Sequence, residues 1–154
     1  MTITLTLNGV RRTDEIAADT TLFDYLRAHG CPSVKCGCET SNCGLCTVHL
    51  DGRPVLSCSV LAVRADGREV TTLEGLQAEA AEFGAFLADE GAEQCGYCSP
   101  GFIMNVLAMT KELSSPTVEE IQAYLAGNLC RCSGYQGQLR AIQKYLNAKE
   151  GAAR

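Results

Sequence analysis

The sequence predicts an α+β fold in two parts, a small mixed sheet with one helix over residues 1–75 and a four-helix bundle over residues 76–154. Three observations carry this reading. Ile3, Leu5 and Leu7 alternate with threonines at the two-residue period of a half-buried strand. Asn8-Gly9 and Asp51-Gly52 are hairpin turns between apolar stretches. From about Thr72 the apolar spacing changes to the three-and-four rhythm of helices, which sets the boundary between Leu73 and Gln77.

Taken in order, the first strand returns through Asn8-Gly9 into Val10 to Thr13. Thr21 followed by Asp24 caps a short helix whose face is Leu22, Tyr25 and Leu26, and Gly30 ends it. Thr47 to Leu50 and Pro54 to Leu56 flank the second turn, and Glu69 to Thr72 supplies a last strand. In the second part, Phe83, Phe86 and Leu87 form one helical stripe. Ser99 and Pro100 read as N-cap and first helical residue before the apolar Phe102 to Met109. Thr117-x-x-Glu120 is a capping box ahead of Val118, Ile121 and Leu125, while Leu139, Ile142 and Leu146 mark a final helix.

Composition bounds the function. With 46% hydrophobic and 20% charged residues in 154, the chain can bury an ordinary core. Thirteen basic against 18 acidic residues leave a formal charge of −5, with no basic run longer than Arg11-Arg12, so nucleic acid is not the expected partner. The Phe102 to Met109 run is too short to span a membrane, and no secretion signal precedes the first strand. A cytoplasmic protein is expected. In a reducing compartment its ten cysteines are more readily explained by metal or redox chemistry than by disulfides.

Eight of the cysteines fall into two sets. Cys38-x4-Cys43-x2-Cys46 occupies a glycine-rich loop with Gly37 and Gly44, where backbone N–H groups can approach sulfur, and Cys58 follows the Asp51-Gly52 hairpin. A three-residue loop centred on Gly52 places Cys58 opposite Cys46; a two-residue loop places Ser57 there and keeps Cys58 near. Cys95-x2-Cys98 stands just before a helix, at the end where the dipole favours thiolates, and Cys130-x-Cys132 follows another helix ending near Gly127-Asn128. Four thiolates also suit structural zinc, which is the default for an isolated Cys-x2-Cys pair. The first set reverses that default, because Cys-x4-Cys-x2-Cys with a distant fourth cysteine is the plant-type 2Fe-2S spacing. The second set alone leaves both metals open.

Four strings carry a wider resemblance: Val34-Lys35-Cys36-Gly37-Cys38-Glu39, Cys43-Gly44-Leu45-Cys46, Gln94-Cys95-Gly96-Tyr97-Cys98-Ser99-Pro100-Gly101 and Gly127-Asn128-Leu129-Cys130-Arg131-Cys132-Ser133-Gly134-Tyr135. Together they resemble the small iron-sulfur subunit of the xanthine oxidase family of molybdenum hydroxylases. The resemblance implies a plant-ferredoxin-like β-grasp domain followed by a four-helix bundle, each holding one 2Fe-2S cluster. It implies a large subunit with molybdenum on molybdopterin, in its cytosine dinucleotide form, and a medium FAD subunit, in a heterotrimer or a dimer of heterotrimers. Electrons would pass from molybdenum through the helical-domain cluster and then the β-grasp cluster to FAD. By the same resemblance Gln94 and Cys132 contact the pterin, Cys132 being an iron ligand as well. Compactness puts the clusters about 10 to 20 Å apart. No catalytic residue is expected in this chain, and its alternatives are a free-standing two-cluster ferredoxin or a zinc-binding module.

Several residues stand apart from this pattern. Ser41 occupies a position where family loops have glycine, which puts an unusual backbone angle there. Leu45, Ser99 and Ser133 replace a common alanine and two common threonines and look tolerable. Cys31 and Cys36 read as semi-buried free thiols, with an extra ligand or redox-sensitive site as the sharper reading of Cys36. His29 and His49 read as structural, and Glu79, Glu82 and Glu90 as a solvated helix face.

Overall fold

The computed structural model describes residues 1–152. Strands β1 (Thr2–Leu7) and β2 (Val10–Glu15) form a hairpin whose turn residues Asn8 and Gly9 have φ of 50° and 80°, the left-handed pair that a tight hairpin turn requires. Ile3, Leu5 and Leu7 face inward, whereas β2 buries nothing and forms one edge of the sheet. Helix α1 (Leu22–Ala28) starts at Thr21, whose hydroxyl accepts the Asp24 N–H at 3.1 Å and donates to the Asp24 carboxylate at 2.6 Å. It buries Leu22, Tyr25 and Leu26 against the sheet core.

Strands β3 (Thr47–Leu50), β4 (Arg53–Leu56) and β5 (Glu69–Thr71) complete a mixed sheet of order β2-β1-β5-β3-β4, in which only β1 and β5 run parallel. The second hairpin differs from the three-residue expectation. Leu50 pairs directly with Arg53, and Asp51 and Gly52 (φ 50° and 78°) make a two-residue turn. With both turn residues left-handed, the strands close without an extra bulged position. Ser57, not Cys58, therefore stands opposite Cys46 and donates its N–H to the Cys46 carbonyl at 3.2 Å.

The second part is four helices, α2 (Gln77–Asp89), α3 (Ser99–Glu112), α4 (Val118–Leu125) and α5 (Gln136–Ala152). Phe83, Leu87, Phe102, Val106, Ile121, Ile142 and Tyr145 form a core separate from that of the sheet. The Thr117–Glu120 capping box forms as expected. The start of α3 is one residue earlier: Cys98, not Ser99, is the N-cap, because the helical ladder opens with the Phe102 N–H on the Cys98 carbonyl at 3.1 Å. Glu90 is not solvated. Its carboxylate is 10% exposed and is held by Arg140 (2.7 Å) and Lys144, which clamps the end of α2 to α5.

Helix α3 joins the two parts. All four residues of β3 are buried, which a strand with one covered face cannot achieve, since α3 packs over the face opposite the sheet core. Val48 and Leu50 belong to the sheet core, and His49 donates through Nε2 to the Met104 carbonyl of α3 at 2.7 Å. Among the described residues no helix is long and apolar enough to cross a membrane.

Candidate metal centres

The loop between α1 and β3 folds the first three cysteines inward by close backbone approach. Gly44 has φ 75°, and a Cβ there would collide with the Gly127 carbonyl; at Gly101 of α3 it would lie 2.5 Å from the Gly44 carbonyl. Glycine at both positions lets the helix start touch the loop. Around Cys38, backbone N–H groups of Asn42 and Thr40 lead in holding the thiol pKa down to about 6, the environment of a sulfur meant to be anionic. Burial instead pushes Cys43 up, and Cys46 to about 11, so metal binding there has to displace protons. Despite the corrected register, the turn over Ser57–Ser59 carries Cys58 Sγ to 3.3 Å from Cys46 Sγ. Ser41 has φ 57°, the left-handed angle expected at its position, and its hydroxyl lies 3.6 Å from Cys58 Sγ.

The second set gathers where α3 begins and the chain leaves α4. Cys132 Sγ lies 3.6 Å from Cys95 Sγ, and the Cys98 and Cys130 thiols shift one another's ionisation. Burial, then the neighbouring thiols of Cys130 and Cys95, push Cys98 up to about 12. At Cys130 burial is outweighed by the Ser133 hydroxyl and N–H, the latter 3.4 Å from sulfur, and the thiol is held below its ordinary value. The Cys130 N–H donates to the Tyr135 hydroxyl at 3.0 Å. Gln94 Nε2 donates to the Cys132 carbonyl at 3.0 Å, so the two residues expected at the pterin are neighbours.

In each set one pair of thiols is in direct contact, Cys46 with Cys58 and Cys95 with Cys132, and the other two, Cys38 with Cys43 and Cys98 with Cys130, shift one another's ionisation. Among the described residues, no three His, Cys, Asp or Glu side chains converge as around a single ion. Two pairs per site fit a two-iron core, in which each iron takes two thiolates, better than the one shared centre of tetrahedral zinc.

The two sites are tied directly. The Leu129 N–H donates to the Cys43 carbonyl at 2.9 Å, and Leu129 is bonded to Cys130, so one hydrogen bond separates a residue of each set. The buried Asn128 amide donates to the Gly44 and Gly101 carbonyls at 3.3 and 3.4 Å and accepts from Asn105 at 2.5 Å. Tyr97, between two cysteines of the second set, donates its hydroxyl to the Cys36 carbonyl at 2.9 Å. These ties were missed in the sequence because they join residues far apart along the chain, with no local pattern to announce them. A cleft of about 590 Å³ lies where the sites meet, lined by Cys38 and Cys43 and by all four cysteines of the second set. Exposed Tyr97, Leu129 and Tyr135 surround it.

Residues 5–88 match the 2Fe-2S iron-sulfur cluster binding domain family, and residues 72–143 match the 2Fe-2S binding domain family. The chain is 45% identical to the xanthine dehydrogenase iron-sulfur-binding subunit of Escherichia coli O157:H7 over 141 residues, covering 88% of each. The chain belongs to the iron-sulfur subunits of the xanthine oxidase family of molybdenum hydroxylases. The nicotinate dehydrogenase small FeS subunit of Eubacterium barkeri is 44% identical over 143 residues, covering 88% of this chain and 88% of the relative. In the crystal structure of quinoline 2-oxidoreductase from Pseudomonas putida 86, a chain superimposes with a TM-score of 0.89 at 34% identity, covering 98% of this subunit and 96% of that chain. In the aldehyde oxidoreductase from Desulfovibrio gigas the same fold, at TM-score 0.88 and 32% identity, covers 99% of this subunit but 17% of that chain.

Within this iron-sulfur subunit the remaining cysteines separate. Cys31 is 2% exposed in the sheet core, and burial raises its pKa. Cys36 is exposed rather than semi-buried, with its thiol donating to the Cys38 carbonyl at 3.3 Å. His29 closes α1, its ring stacked on Tyr25 and 3.4 Å from Asp14, and His49 serves the contact between sheet and α3.

Proposed function

We propose that this subunit is the electron relay of a molybdenum hydroxylase. Cys38, Cys43, Cys46 and Cys58 hold one 2Fe-2S cluster in a domain of residues 1–75, and Cys95, Cys98, Cys130 and Cys132 hold another in a domain of residues 76–154. Each cluster, when bound, supplies a one-electron carrier. Electrons enter from molybdopterin on a large subunit, beside Gln94 and Cys132, cross from the helical to the β-grasp site, and leave to FAD on a medium subunit. The assembly is a heterotrimer, or a dimer of heterotrimers, in the cytoplasm. The single observation that carries the reading is the Leu129 to Cys43 hydrogen bond, which couples the two thiol sets through one backbone contact.

The chain's own residues hold thiolates, aim backbone N–H groups at them and keep the sites in register. Oxidation of substrate falls to the molybdenum-bearing partner. Anaerobic co-expression with the neighbouring subunits should yield a red-brown complex with about four irons and four inorganic sulfides in this chain and two distinguishable paramagnetic signals on reduction. A colourless chain with two zincs would refute it. A stable red-brown monomer that recruits no flavin or molybdopterin chain would favour a free-standing ferredoxin.

A further inference from the structure

The sulfurs of the first set draw on different donors. Backbone N–H groups of Asn42 and Thr40 serve Cys38, those of Leu45 and Gly37 serve Cys43, and that of Cys58 serves Cys46. Main-chain donors of this kind come with the path of the loop, whatever side chains it carries. At Cys58 two side-chain hydroxyls approach the sulfur. Ser41 Oγ lies 3.6 Å away from across the loop, and Ser59 Oγ lies 3.8 Å away on the next residue.

Between a hydroxyl and a thiol, either group can donate. Once Cys58 is a thiolate only one direction is left, because the sulfur has no proton to give, and the Ser41 hydroxyl is the donor. The backbone supports a task for this side chain. Ser41 has φ 57°, a left-handed angle that glycine adopts freely and a residue with a Cβ does not. Cys38 and Cys43 line the cleft where the two sites meet, whereas Ser41 and Cys58 lie outside it, so this contact belongs to the first site alone.

We propose that Ser41 is a positioning residue of the first site, its hydroxyl donating to the thiolate sulfur of Cys58 and thereby raising the reduction potential of the β-grasp cluster. The inference rests on reading Cys58 as an iron ligand. Donors on the sulfurs favour the more negative, reduced state, and such hydrogen bonds are among the levers that set iron-sulfur potentials. A higher potential at the first cluster draws electrons from the second toward the first, the direction of the proposed relay. Ser41 acts through the thiolate and not on substrate.

The test is a redox titration of the holo complex followed by electron paramagnetic resonance, with the helical-domain signal as internal reference. Two variants separate the hydroxyl from the backbone: Ser41→Ala removes the hydroxyl and keeps the Cβ, and Ser41→Gly removes both. At the potential where the wild-type first cluster is half reduced, each should raise its oxidised-to-reduced ratio about fivefold, a midpoint about 40 mV lower at about 59 mV per tenfold for one electron. The second cluster's midpoint should stay in place. A change of less than twofold at the first cluster in both variants, or an equal shift of both clusters, overturns the proposal. A shift in Ser41→Gly without one in Ser41→Ala would assign the effect to backbone strain and overturn it too. If neither variant loads the first cluster while the second signal persists, Ser41 serves the fold of the loop and the proposal falls. A wild-type complex without the first signal would instead refute the ligand reading itself.

Discussion

Replacing Asn128 with alanine should loosen the joint between the two cluster sites. Its amide donates to the Gly44 and Gly101 carbonyls at 3.3 and 3.4 Å, long contacts to acceptors in crowded positions; Gly44 already receives the Thr47 hydroxyl at 2.7 Å. Each such bond contributes at the low end of the net range, about 0.5 kcal/mol. The Asn105 amide loses its 2.5 Å partner and keeps only the Tyr124 carbonyl at 3.4 Å, which adds about 1 kcal/mol. The sum is about 2 kcal/mol, and for a chain of this size that lowers the apparent melting temperature by about 4 to 8 °C. Wild type and Asn128→Ala would be compared as holo subunits at one scan rate, since loss of a cluster makes unfolding irreversible. Because Gly44 lies between Cys43 and Cys46, the β-grasp signal should also change shape. A midpoint within 1 °C of wild type, with both signals unaltered, would refute the idea that this amide holds the sites together.

Three further outcomes are expected. Cys43→Ser should remove the β-grasp signal and spare the helical-domain one, with Cys130→Ser doing the reverse; loss of both from either change would show that the two parts do not assemble independently. Glu74 is subject to burial, which would raise its pKa, but hydrogen bonds from Ser33 (2.6 and 2.8 Å) and Thr72 (2.5 Å) hold it below its ordinary 4.5. Its stabilisation is therefore full above that ordinary value and lost as pH falls through the lower folded pKa, so Glu74→Gln should flatten the acid limb in a circular-dichroism titration between about pH 6 and pH 3. Ser41→Gly should relieve the left-handed strain at φ 57°, a net gain of no more than about 1 kcal/mol, and slow bleaching of the first cluster by a chelator. Faster bleaching would mean that the Ser41 hydroxyl near Cys58 outweighs the strain.

Much of this subunit is legible without a structure because its signals are local. Thr21, Thr117 and the two hairpin dipeptides act within four residues of themselves, and cysteine spacing reports how a loop can wrap a metal. The unusual backbone angle at Ser41 was legible through the family resemblance, whose loops have glycine at that position, and it is left-handed at φ 57°. The misjudged features were decided by partners elsewhere. Two left-handed residues closed the second hairpin one position tighter, and Glu90 looked solvated until α5 brought Arg140 and Lys144 to it.

By itself, then, the sequence determined which side chains are available as ligands, where the chain turns, and that a β half precedes a helical half. Only the tertiary structure decided how the halves meet: α3 over the far face of β3, Gly44 against Gly101, and Leu129 on Cys43. The physical reason is range. Capping, turn geometry and thiolate spacing are set by bonds a few residues long, whereas the coupling of two redox sites depends on close packing between segments more than 80 residues apart, as Asn128 and Gly44 are by 84.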